Sequence, residues 1–236
     1  MDAFISRVSQ DHPGYADFTA RLCTLASAYL PPFIYITDAS HPRVTAKVVD
    51  AILHQPSQCP DILPIVYARV NAVACFSARL FYDTVLNALA GWVPSWENGC
   101  QTWPGEDGVR YNDSIDSFLH GLRRLSADLG TTSSSPEPTM VIVIERAERL
   151  CENLPELVVL PHAWLSWSVG IYSVYLRAEF ELLIILFLQA RVSVSIIFLT
   201  SIRWEDLRPP PGAAPDLYFL GVQPLTKQGA YLCNTM

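Results

Sequence analysis

The chain has 236 residues, half of them apolar and only 17% charged, which is enough to build one sizeable domain around a buried sheet. Its formal net charge of −7 and sixteen scattered basic residues exclude a stand-alone DNA or RNA binder, because neutralising phosphates needs clustered Lys and Arg. The six cysteines, at 23, 59, 75, 100, 151 and 233, form no CxxC and no Cys/His pair at zinc spacing, so reduced, mostly buried thiols are expected.

The opening Met1-Asp2-Ala3-Phe4 has neither a basic n-region nor an apolar h-region, so a secretory leader is not expected. Residues 1–14 read as a flexible lead-in. Phe18, Leu22, Leu25 and Tyr29 then recur at helical spacing over 15–30, and Pro31-Pro32 stops that helix. Phe33-Ile34-Tyr35-Ile36 reads as a first buried strand, followed by a loop over 37–45 and a helix over 46–54.

Strand, loop and helix in that order is the setting of a phosphate-binding loop. Such a loop needs glycines to wrap the phosphates and a Lys followed by Ser or Thr at the helix start. Residues 37–45 contain no glycine, Pro42 removes an amide donor, and Arg43 with Thr45 only echoes the Lys-Ser/Thr pair. A plain strand-to-helix connection is the leading reading, with a weakened nucleotide pocket the competitor.

After a Pro-punctuated loop over 55–64, residues 65–70 read as a second strand. A helix follows in which Phe76, Leu80, Leu86 and Leu89 share a buried side, with Gly91 just beyond its end. Residues 92–111 are a Trp-, Gly- and Pro-rich loop. A third helix spans 114–129, with Ile115, Phe118, Leu119, Leu122 and Leu125 inward and Gly130 as its stop. Arg123 and Arg124 on it read as a solvated face, and 131–138 as a low-complexity loop.

Val141-Ile142-Val143-Ile144-Glu145 is the stretch that organises the rest: a strand buried on both faces that ends in an acid. In P-loop proteins this position carries an Asp for the Mg²⁺ shell, and in many ATPases a Glu follows to prepare water. Here Glu145 is followed by Arg146, which cannot accept a proton at neutral pH. A short helix is expected over 147–151. Residues 157–176 then carry no formal charge and include Trp164, Trp167, Tyr172 and Tyr175; a second apolar run covers 182–188. Twenty uncharged residues are long enough to span a bilayer, but Pro161, His162 and Gly170 dilute them, so a membrane span is the lesser reading. Residues 194–201 form another buried strand, whose Thr200 and Ser201 would reach the sheet edge shared with Glu145, and 217–222 a final strand.

Strands alternating with helices predict a parallel α/β sheet. Within that frame, four stretches resemble the origin recognition complex subunit 5 family of the AAA+ class, in a fungal-like, C-terminally short form. They are Phe33-Ile34-Tyr35, residues 70–80 from Val70-Asn71 to Arg79-Leu80, residues 141–150, and Ile197-Phe198-Leu199-Thr200-Ser201 with Trp204-Glu205 and Arg208-Pro209. The second and fourth are the more specific.

The resemblance implies a P-loop NTPase-like (AAA+) parallel sheet sandwiched by helices over 15–236, incomplete at the C-terminus, with lid and winged-helix regions absent. It implies ATP as cofactor, Mg²⁺ accompanying it if it binds, and a degenerate nucleotide site at Ser40, Arg43, Thr45, Glu145 and Thr200. It also implies nuclear residence, other origin recognition subunits as partners, and contact with origin DNA through the complex. Where the family has Gly-Lys-Thr this chain has none, and Arg146 stands in the second acid's place, so the expected role is a non-catalytic scaffold in replication initiation, not an enzyme. The alternatives are a membrane-associated protein using 157–188, a weakly active ATP-binding protein, and a truncated product that folds poorly. The family connects its third and fourth strands more briefly, so 157–191 reads as an apolar insertion or a translated intron. Such a surface would bind a partner or promote aggregation.

Overall fold

The computed structural model describes residues 2–12, 14–54, 64–97, 99–103, 109–132, 138–150, 194–203 and 218–222. Five strands make one sheet: β1 (Phe33–Thr37), β2 (Ile65–Asn71), β3 (Thr139–Glu145), β4 (Val194–Thr200) and β5 (Tyr218–Gly221). Their order is β2-β3-β4-β1-β5 and every neighbouring pair is parallel. Phe33 pairs with Ile196 and Thr37 with Thr200, so β1 and β4 end level with each other at the centre of the sheet.

Alternation along these strands supplies two apolar faces. Ile34, Ile36, Val141, Val143, Ile197 and Leu199 point to one side, where they meet α2 (Ala16–Ala28) and α3 (Pro42–Leu53). Ala68, Val70, Met140, Ile142 and Ile144 point to the other, against α4 (Ala78–Leu89) and α5 (Ile115–Thr132). A sheet buried on both faces explains why its central strands read as unbroken β-branched runs. The fold is therefore the α/β sandwich that the strand–helix alternation predicts.

Several local expectations are corrected. The lead-in is helical: α1 (Asp2–Asp11) packs against α2 and buries Val8. Helix α3 starts at Pro42, not at 46, because proline's missing N–H costs nothing in a first helical turn. Phe76 and Leu80 are exposed. Ser77 caps α4 through Leu80 N, which leaves Phe76 ahead of the helix, and the buried stripe is Phe81, Tyr82, Val85, Leu86 and Leu89.

Gly91 does take a left-handed conformation (φ 63°), and Trp92 N reaches back to Asn87 O at 2.8 Å, closing α4 as a Schellman turn. Gly130 does not stop α5, which continues to Thr132; a helical glycine costs only about 1 kcal/mol relative to alanine. Arg124 pairs with Asp128 at 3.3 Å, but Arg123 is half-buried and not fully solvated. After β3 the expected helix is a single 3₁₀ turn, η1 (Ala147–Arg149). Of the described cysteines, Cys23 and Cys75 are buried and Cys100 is exposed. The proposed insertion at 157–191, the 55–63 part of the Pro-rich loop, and Trp204 to Pro209 lie outside the described residues.

Candidate nucleotide-binding edge

In a parallel sheet the loops at the carboxyl ends of the strands meet at the point where the strand order reverses. Here that point is between β1 and β4: the next strand after β1 lies at one edge of the sheet and the next strand after β4 at the other. Asp38, the first residue after β1, donates its amide to Thr200 O at 3.0 Å, so the loop before α3 is fastened to the end of β4.

The Asp38 side chain is buried and collects four donors. Ser40 N and His41 N reach Oδ1 at 2.9 Å each, while Tyr15 Oη and Thr45 Oγ1 reach Oδ2 at 2.9 and 2.5 Å. Burial works against the carboxylate charge, but the hydrogen bonds from His41, Thr45, Tyr15 and Ser40 outweigh it and hold the carboxyl below its ordinary value. Asp38 thereby ties the start of α2, the loop and α3 together through its side chain, and β4 through its amide.

Of the sequence-predicted residues, Ser40, Thr45 and Thr200 are brought to this junction. Ser40 contributes its backbone amide and its side chain is exposed; Thr45 contributes its hydroxyl. Arg43 is exposed on the first turn of α3. The amides and hydroxyl that would face a phosphate face Asp38 instead.

Glu145 ends β3 but is turned toward the β2 side. Its Oε1 accepts from Arg69 Nε at 2.5 Å, and Arg69 also lies 3.6 Å from Asp50 on α3. Tyr67 donates to Asp50 at 2.8 Å and meets the His54 ring, extending the network along β2. Burial first, and the neighbouring Asp50 second, push the Tyr67 hydroxyl well above its usual range.

Arg146 adopts a left-handed conformation (φ 55°), uncommon for a residue with a side chain. That turn carries its guanidinium onto Glu148, at 2.8 Å, and Glu148 also accepts from Ser201 at 3.3 Å and from Thr200. Burial would raise the Glu148 carboxyl, but its own backbone amide, Arg146 and Thr200 outweigh this and lower it. The acid that reaches the β4 edge is thus Glu148, three residues later than Glu145.

Asp38, Tyr15 and Glu148 are the residues that sequence reasoning passed over. An Asp opening a loop two residues before a Ser is a turn signal that could have marked the first. Nothing local marks Tyr15, which is 23 residues away from its partner.

No family model and no curated protein sequence matches this chain. Solved structures do. A chain in the structure of Drosophila ORC, the origin recognition complex, bound to DNA superposes with a TM-score of 0.65 at 19% identity, covering 99% of this chain and 49% of that one. The likeness is one of fold: a parallel five-stranded sheet with helices on both faces. The Aeropyrum pernix ORC2 protein, in its ADPNP–ADP complexes, superposes at 0.53 with 10% identity, over 94% of this chain and 50% of that one. This chain therefore spans about half the length of the solved proteins it resembles. Among the described residues no helix is long and apolar enough to cross a membrane.

Proposed function

We propose that the chain is a non-catalytic AAA+-like subunit of an origin recognition complex, of the subunit 5 type, acting as a nuclear scaffold in replication initiation. The observation that carries this reading is the correspondence of nearly the whole chain with a protein from a DNA-bound Drosophila origin recognition complex. The chemistry of the sheet edge supports it. Glu145 is neutralised by Arg69, and the position after it holds an arginine tied to Glu148. An arginine accepts no proton from water at neutral pH, and the Glu145 carboxylate is engaged with Arg69, which supports the non-catalytic reading. The chain's acidity fits contact with origin DNA through partner subunits.

The test is affinity purification of the tagged chain from soluble nuclear extract, with partners identified by mass spectrometry. Recovery of other origin recognition subunits supports the scaffold role; their absence from a soluble, folded bait rejects it. Phosphate release by the recovered complex should be unaffected by Glu145→Gln or Arg43→Ala. Turnover that depends on either residue would instead make this chain an active ATPase.

A further inference from the structure

The β1–α3 junction has the strand–loop–helix order of a phosphate-binding loop, yet its donors are already engaged. We propose that the Asp38 carboxylate is a built-in anion occupying the phosphate seat of this loop, so that the domain keeps its shape without bound nucleotide. The inference goes beyond complex membership and stands or falls independently of it.

Three observations carry it. The first is the donor set. Two loop amides, a hydroxyl on the first helical turns and a tyrosine hydroxyl converge on one buried carboxylate, as such groups converge on a phosphate at a helix N-terminus. The second is register. When Asp38 is counted as the first position of the eight-residue G-x-x-x-x-G-K-[ST] pattern, Thr45 falls on the eighth. That hydroxyl serves Mg²⁺ in the motif; here it donates to Asp38 at 2.5 Å.

The third is the length of the loop. Helix α3 begins at Pro42, the fifth position, so the backbone that would wrap phosphates is already wound into a helix and only residues 38–41 remain outside it. Arg43 and Val44 fall where the second glycine and the lysine belong. A phosphate entering this seat would meet a carboxylate of like charge holding every donor it needs, and displacing that carboxylate would leave it buried without partners.

The experiment is thermal unfolding of the whole chain, alone or in whatever complex it is purified with. It is run in sodium chloride, inorganic phosphate or formate at matched ionic strength, together with titration of Mg–ATP. The wild type should show no saturable Mg–ATP binding up to millimolar concentration. Its phosphate response should be only the general salt effect. Asp38→Ala should lose several degrees in chloride and regain most of them in formate or phosphate, beyond the wild-type response, because an external anion fills the vacated seat. Asp38→Asn, which keeps an acceptor but not the charge, should fall in between without anion rescue.

Saturable binding of Mg–ATP by the wild type that Thr45→Val abolishes would overturn the proposal, while leaving membership of the complex standing. So would an Asp38→Ala protein as stable as wild type and indifferent to anions. If Asp38→Ala does not fold in any buffer, the wild-type titration still decides.

Discussion

Tyr15→Phe is the most selective probe of the Asp38 junction, because it removes one oxygen and leaves the ring in place. Tyr15 is almost wholly buried, and its ring meets Phe18 edge-on with centroids 6.3 Å apart, a contact that phenylalanine retains. What is lost is a 2.9 Å hydrogen bond to a carboxylate. A bond to a charged group is worth about 1.5–3 kcal/mol. At 2–4 °C per kcal/mol for a chain of this size, the midpoint should fall by roughly 3–12 °C near neutral pH.

The pH dependence separates this from a packing defect. Asp38 is held below its ordinary value in the folded state, so its contribution is present above the unfolded value and is lost as pH falls through the folded one. Removing one donor moves the folded value back toward the ordinary range. The gap between wild type and variant should therefore be full above about pH 5 and shrink as the solution is acidified below about pH 4. Urea unfolding followed by circular dichroism at several pH values measures both. A cost under about 0.5 kcal/mol at pH 7, the level of an ordinary surface change, or a gap that does not change with acid, would refute the role assigned to Asp38.

Glu148→Gln should destabilise the chain at neutral pH and match wild type more closely at pH 3. Glu148 is also held low, by its own amide, Arg146 and Thr200 against burial, so its contribution is present above the unfolded value and lost in acid; the same unfolding series reads it. Ile197→Ala, at a fully buried position on β4, should cost about 2–5 kcal/mol in urea unfolding. Gly121→Ala gains helix propensity of about 1 kcal/mol but would place a Cβ 2.9 Å from Tyr111 Cβ, which must move. Overpacking of this kind costs about 1–3 kcal/mol, so a lowered thermal midpoint is expected and a raised one would show that the Tyr111 segment yields freely.

The sheet was legible because its strands are buried on both faces and so stand out as short β-branched runs between punctuating prolines and polar loops. Helix phase was less so. Phe76 and Leu80 fit a helical spacing with Leu86 and Leu89, but the cap at Ser77 rotates the buried stripe to Phe81, Tyr82 and Val85. The start of α3 was hidden by Pro42, which reads as a breaker but is accommodated in a first turn. At the site, Ser40, Thr45 and Thr200 were identifiable from their place after strands. The partners that decide what these residues can do come from 23 residues upstream in Tyr15 and from an unusual backbone turn at Arg146, neither of which local pattern encodes.

The geometry around the motif positions bears on the proposed non-catalytic role as much as the residues at them do. An acid placed at 146 would inherit a left-handed backbone that delivers the present side chain to Glu148, where Thr200 and Ser201 are already engaged. Glu145 retains the acid but faces Arg69 and Asp50, so its charge is spent within a network linking β2, β3 and α3. A lysine placed at 44 would stand on a helix that begins at Pro42, beside loop amides already held by Asp38. Three groups around these positions make structural contacts: Asp38 joins Tyr15 at the start of α2 to α3, Arg69 joins β2 to β3, and Glu148 joins η1 to the end of β4. On the non-catalytic reading proposed above, substituting any one of these three groups removes a support from the sheet edge and supplies no catalytic group in its place.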